Sequence, residues 1–148
     1  MLEIKPVKPN TTELNDFLAL PKQIYQPDHL MQSEEDELAL IEDSHPLSSD
    51  LDTYAFVGYE DGRPCIRGLL TFYSDDETAY LGFFESINDQ QIASAFIDHL
   101  AGFARSLGVI KMIGPVQASF WLGYRMQLTG TEELPFTGEP HNPDYYPE

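Results

Sequence analysis

The sequence predicts an α/β fold of the α+β kind, a mixed but mostly antiparallel sheet flanked by helices, and three observations carry that expectation. Strand-like and helix-like segments follow one another in the order β-α-α-β-β-β-α-β. The two apolar runs of "TYAFVGYEDGRPCIRGLLTFYS" are joined by Asp61-Gly62, a dipeptide that supplies the positive-φ positions of a tight hairpin turn. The stretch "GFFESINDQQIASAFIDHLAGFARSLG", residues 82–108, runs an apolar strand straight into an amphipathic helix.

Taken in order, "LEIKPV" predicts a first strand at 2–7. "TTELNDFLALPKQIY" opens with a Thr/Glu start signal and places Leu14, Phe17 and Leu18 on one face. It predicts a helix interrupted or kinked at Pro21, because proline lacks the N–H that a helix interior needs. "SEEDELALIEDS" predicts a second, acidic helix. Strands are expected at 54–59, 64–73 and 79–86, the third entered through the polar "SDDET" turn. The longest helix is expected over 89–107, with Ile92, Phe96, Leu100, Phe103 and Leu107 forming one apolar stripe and Asp98 and Arg105 lying elsewhere. Asn88 is expected to be its N-cap with Gln91 as capping-box partner, Ile87 to pack on Ile92 as a staple, and Gly108 to end the helix in a left-handed conformation. "VIKMIGPV" predicts a short last strand at 109–114, stopped by Gly114-Pro115.

Length and charge bound the function. A chain of 148 residues fits a single domain, 1–148, that buries roughly 68–70% of its unfolded surface. Its 25 acidic residues against 8 basic ones give a formal net charge of -17, which repels polyanions at long range. Nucleic acid and an anionic membrane surface are therefore unfavourable partners. Cys65 is the only cysteine, so no intrachain disulfide forms. "MLEIKPVKPN" has no signal-peptide core, and no run approaches the roughly 20 apolar residues of a spanning helix, so a cytoplasmic protein is expected. The acidic runs at 33–37, 74–77 and 131–133 lack the spacing of a calcium loop and read as solvated helix faces and turns. His29, His45, His99 and His141 have no metal-ligand spacing, and His99 is expected on a helix surface; no metal is expected.

The element order resembles the GNAT acyltransferase superfamily, whose members transfer acyl groups from acyl-CoA to amines. "FLALPKQIYQPD", "YAFVGYEDGRPCIRG", "GFFESINDQQIASAFIDHLAGFARSLGVIKMIGP" and "PHNPDYYPE" resemble an uncharacterised bacterial GNAT-like group over nearly the whole chain. The resemblance implies acyl-CoA or acetyl-CoA as cofactor and a small-molecule amine as substrate. It also implies a Q/R-x-x-G-x-G/A loop cradling the CoA pyrophosphate ahead of the long helix, but this chain reads "ESINDQQ" there. Asn88 and Gln91 stand in that slot and compete for the helix's free N–H donors, while Asp89 adds a carboxylate that discourages phosphate by about 0.3–1 kcal/mol. The usual cradle is expected to be closed.

By the same resemblance Glu85 falls where some GNAT enzymes carry a general base, and Tyr145 and Tyr146 fall where many carry a tyrosine that protonates the leaving thiolate. Asn142 stands for an asparagine that contacts CoA. Read without the resemblance, Glu85 is a polar strand end and "HNPDYYP" a proline-rich turn with packed aromatics. Arg67 and Arg125 serve either an anion or surface ion pairs, and Phe120 and Trp121 either a pocket or the core. Two functions stay open: an acyltransferase with a degenerate pyrophosphate loop, and a non-catalytic GNAT-like module for ligand binding or interaction. In the group it resembles, the stretch matching "HNPDYYPE" leads into another helix and two further strands, and commonly into a second GNAT-like half. The chain is therefore expected either to be C-terminally incomplete, part of a larger GNAT-like protein, or to form a homodimer in which residues 115–148 cover the partner's last strand. Phe120, Trp121, Tyr124, Phe136, Tyr145 and Tyr146 supply aromatic surface for such a cover.

Overall fold

The computed structural model describes residues 1–30, 32–74, 76–119, 122–124, 126–128 and 141–147. The expectations for Phe120, Trp121, Arg125, Phe136 and the acidic run at 131–133 lie outside the described residues.

Five strands, β1 (Glu3–Val7), β2 (Leu51–Glu60), β3 (Arg63–Tyr73), β4 (Thr78–Ser86) and β5 (Lys111–Ile113), form one sheet in the order β1-β2-β3-β4-β5 among the described residues. The first four pair antiparallel and β5 joins β4 in parallel, which requires the crossover supplied by helix α3 (Gln90–Ser106). The β2–β3 turn places Asp61 at φ 50° and Gly62 at φ 76°, the doubly positive geometry that the Asp-Gly pair supplies. Helices α1 (Thr12–Ile24) and α2 (Glu34–Ile41) precede the hairpins, and two short 3-10 turns flank α2 at Pro27–His29 and Ser48–Asp50.

Side-chain alternation sorts the sheet into two faces. Val57, Leu69 and Ala55 pack against Leu14 and Phe17 of α1, whereas Phe56, Ile66 and Leu70 pack against Ile92, Phe96, Leu100 and Ala104 of α3. The result is helix, sheet, helix, with a core on each face. Leu107 does not extend the α3 stripe: it is the helix C-cap and 48% exposed, and the buried position on that side falls to Ala104 instead. Gly108, at φ 84°, donates to Arg105, and Val109 donates to Ala104, a Schellman arrangement that satisfies the last carbonyls.

Two local expectations are corrected. The cap of α3 is Asp89, not Asn88: the Asp89 carboxylate accepts from the N–H groups of Gln91 and Ile92 at 3.0 and 3.1 Å. The Ile87 N–H still donates to Cys65 at 3.0 Å, so the chain stays tied to the sheet one residue longer and the helix starts one residue later. Gln91 is then no capping-box partner, and Ile87, 40% exposed, no longer occupies the N′ position of a staple. Helix α1 is not interrupted at Pro21 but runs on to Ile24. Proline leaves the Phe17 carbonyl without its helical donor. Nη1 of Arg67 donates to that carbonyl at 2.9 Å, so the defect is filled from β3.

Asp89→Ala is expected to lower stability by about 1 kcal/mol as a lost cap, and Asn88→Ala to change it by less than about 0.3 kcal/mol. Urea midpoints of the two variants check the assignment, and a larger loss at Asn88 would return the cap to that residue.

Candidate functional site

The site is made by one extra residue in β4. Arg67 pairs with Glu85 and Leu69 with Gly82, so two steps along β3 face three along β4, and Phe83 takes φ 51°. Such a bulge shifts the alternation by one. Ala79 and Leu81 face α3, as does Phe84, while Phe83 joins the α1 cluster. Glu85 is thereby carried to the α1/α2 side, opposite Arg67, instead of pointing at α3. Past Tyr80, β5 no longer pairs with β4. The segment after β5 lies against the freed edge: Val116 N–H donates to Leu81 at 2.9 Å and the Gln117 side-chain oxygen accepts from Phe83 N–H. A Cβ on Gly82 would come within 2.0 Å of the Val116 carbonyl, so only glycine admits this approach.

Two cavities lie at this parting. The first, of about 270 Å³ on the α1/α2 side, is lined by Tyr25, Glu37, Arg67, Glu85, His141 and Tyr146 among others. The second, of about 440 Å³, lies at the start of α3 and is lined mainly by Leu81, Phe84, Ile87, Ile97, Met112 and Tyr145.

In the first cavity Tyr146 donates to Glu85 Oε2 at 2.9 Å, and the Tyr25 hydroxyl lies 3.3 Å from both Glu85 Oε1 and the His141 carbonyl. Burial raises the Glu85 carboxyl to about 7, against the lowering influence of Arg67 and of the two tyrosine hydroxyls. Burial and the neighbouring Glu85 charge raise Tyr146 and Tyr25 well above the usual phenol range, so both stay protonated donors. Tyr145 is pushed up to about 12, chiefly by burial, and donates to the Ser86 carbonyl at 2.6 Å, while Ser86 N–H donates to Tyr146 at 2.7 Å. Burial lowers His141, whose ring stacks on His29 with centroids 5.2 Å apart.

The structure thus gathers Glu85 and Tyr146 into one hydrogen-bonded group and sets Tyr145 beside it. Asn142 lines the same cavity, but its side chain is engaged by the backbones of Gln127 and Pro143: it accepts from Gln127 N–H at 2.7 Å and donates to the Gln127 and Pro143 carbonyls at 3.0 and 2.9 Å. Asn88 lines the second cavity; Gln91 is exposed on the first turn of α3 and lines neither. Sequence reasoning missed Tyr25, Glu37 and Gln117. It also left Arg67 between an anion site and surface ion pairing and set Glu37 on a solvated face, whereas they are 2% and 3% exposed and paired bidentately at 2.5 and 3.1 Å. A carboxylate followed by apolar "LALI" was the one sign that α2 turns an acid inward.

No protein-family model and no curated protein matches the chain. Solved structures do. A tandem GNAT protein from the clavulanic acid biosynthesis pathway superposes with a TM-score of 0.59 at 18% identity over 72% of this chain. The chain has the GNAT fold. It spans 34% of that tandem protein's length. An aminoglycoside N-acetyltransferase in complex with CoA gives 0.55 at 17% identity, covering 79% of this chain and 78% of its own. The PaiA N-acetyltransferase from Thermoplasma acidophilum, also in complex with CoA, gives 0.53 at 14%, covering 82% and 84%.

The residues present do not fit the CoA diphosphate in the way the fold implies. At the start of α3 the Asp89 carboxylate takes two first-turn N–H donors and puts a negative charge where the diphosphate would lie. The described lining of the second cavity carries no lysine or arginine. Along the open edge of β4 the groups of Leu81, Phe83 and Ser86 are taken by Val116, Gln117, Tyr145 and Tyr146. Among the described residues no group of His, Cys, Asp or Glu is placed to hold a metal ion, and no helix is long and apolar enough to cross a membrane.

Because Glu85 binds its proton more tightly in the folded chain than unfolded, its contribution to stability is full below the ordinary carboxylate range and is lost as pH rises through about 7. Wild-type stability is therefore expected to fall between about pH 5 and about pH 8, with the neutral isostere Glu85→Gln removing on the order of 2–3 kcal/mol of that fall. Urea unfolding at both ends of the window measures it; identical slopes for the two proteins would put Glu85 in free exchange with water.

Proposed function

We propose that the chain is a GNAT-fold module that binds a small protonated amine in the cavity at Glu85, without drawing on acyl-CoA at its own α3. The observation that carries this reading is the Glu85 carboxylate set in a cleft walled by Tyr25, Tyr146, Phe83 and Phe84. Aromatic faces and a carboxylate together recognise an ammonium group, the faces through their negative quadrupole and the carboxylate by charge. A formal net charge of -17 draws cations toward it from a distance.

A second reading has one observation in its favour. A carboxyl held at about 7 is matched to general-base work near neutrality, which supports an N-acyltransferase acting on that amine, with Glu85 taking its proton and Tyr145 or Tyr146 as the acid. In that reading Asn88, Gln91 and Asn142 would stand on the acyl-CoA side. The closed start of α3 weighs against it for this chain alone. The likeness to one third of a tandem GNAT protein supports a module that works beside a second such unit, in a homodimer or a larger GNAT-like protein.

Thermal unfolding with 1,4-diaminobutane, a monoamine and acetyl-CoA separates the readings. A saturating amine, at about a hundred times its Kd, is expected to add about 2.7 kcal/mol, a rise in Tm of roughly 5–10 °C, and millimolar acetyl-CoA none. Affinity for the amine should weaken about tenfold from about pH 8 to about pH 6 as Glu85 takes up its proton. Stabilisation by acetyl-CoA together with acylated amine in the mixture would overturn the module in favour of the enzyme.

A further inference from the structure

Among the described residues Arg67 is the buried cation that lines the site, and its partners are unusual. It sits directly across from Glu85 in the β3–β4 register, yet its guanidinium bonds the Glu37 carboxylate instead. Both terminal nitrogens bond Glu37 of α2, at 2.5 and 3.1 Å, and Nη1 also donates to the Phe17 carbonyl that Pro21 leaves free. The guanidinium carbon lies 4.5 Å from the centre of the Phe17 ring. Four restraints from two helices thus hold one side chain.

We propose that Arg67 is a positioning residue: clamped by Glu37 and by the Phe17 carbonyl, it keeps a fixed positive charge beside Glu85 without pairing with it, and so governs whether the cleft presents an anion to its ligand. The ligand part of this rests on the amine reading above. The clamp has a clear chemical purpose. Free of Glu37, an arginine opposite a glutamate closes into a bidentate ion pair, which would neutralise the cleft and fill it. Held by Glu37, it leaves the Glu85 oxygens to Tyr25 and Tyr146 and open to the cavity. Among the described residues the charged and titratable groups facing Glu85 are then Arg67 from β3, Tyr25 from α1, Glu37 and the cavity-lining Asp36 from α2, and Tyr145, Tyr146 and His141 from the 141–147 stretch. Of these only Arg67 is a buried cation, so its distance from Glu85 has the largest influence that a side-chain movement can change.

Carbon-detected NMR titration of the Glu85 carboxyl, on the chain without ligand, tests the clamp apart from the amine. Glu37→Gln, which keeps the shape but releases Arg67, is expected to move the Glu85 midpoint down by about one pH unit or more. The double variant Glu37→Gln with Arg67→Gln removes both buried charges, a change that protein interiors tolerate better than removing one, and is expected to move the midpoint above that of the wild type. If Glu37→Gln alone does not fold, the double variant decides: an unmoved or lowered midpoint overturns the proposal. Loss of stability with midpoints unchanged in either folded variant would show the Arg67–Glu37 pair to be structural only, and also overturns it. If the midpoints move as expected while 1,4-diaminobutane fails to bind, the clamp stands and the amine reading falls.

Discussion

The arrangement at the site depends on a phase shift in one strand. Without the extra residue between Gly82 and Glu85, the alternation that sends Ala79 and Leu81 toward α3 would send Phe83 and Glu85 there too. A carboxylate would then sit in the apolar layer around Phe96, and the α1/α2 side would have no acid on β4. The bulge is kept by groups from outside the ladder. Gln117 takes the Phe83 N–H, and the absence of a side chain at Gly82 lets the Val116 carbonyl come close enough for this to happen. The strand edge that β5 abandons is thus satisfied at Leu81 and Phe83 by the chain itself.

Burying charge beneath that strand is costly, and the structure offsets part of the cost through both terminal nitrogens of the guanidinium, while the buried Nε makes no hydrogen bond. Two unpaired ions would each lose several kcal/mol of hydration, and the attraction between them recovers this only when geometry and additional hydrogen bonds are good. Glu37 gives both oxygens, Gln32 supports it at 3.0 Å, and the Phe17 carbonyl takes the remaining direction of Nη1. Pro21 and Arg67 therefore explain each other. Each alone would be a defect, an orphaned helix carbonyl in one case and an underused buried cation in the other.

The start of α3 shows how a shared fold parts from a shared site. Helix and crossover are those of the GNAT fold, and the superposed acetyltransferases include two in complex with CoA. In this chain the helix's own first-turn donors close on Asp89, and the described lining of the cavity beside them carries no lysine or arginine. Fold is set by packing of Ile92, Phe96 and Leu100 on the sheet; ligand choice is set by a few atoms at the helix end, and the two can change independently.

Much of the architecture was legible because its causes are local. The Asp61-Gly62 turn, the stripe from Ile92 to Leu100 and the Gly108 stop act over four residues or fewer, and each appears where the sequence places it. Glu85, Tyr145 and Tyr146 were reached through family resemblance, and the structure sets them side by side. What the sequence by itself determined is thus the element order, the two apolar faces and the acidic character of the chain. The tertiary structure alone decided which neighbour of Asn88 caps the helix, that Pro21 stays within it, and that Arg67 and Glu37 lie inside. The reason is separation along the chain: the contacts of Arg67 with Phe17 and Glu37 span 50 and 30 residues, and those of Glu85 with Tyr25 and Tyr146 span 60 and 61. No local pattern encodes a meeting over such distances; it follows from a strand register and a one-residue bulge, which exist only once the sheet has formed.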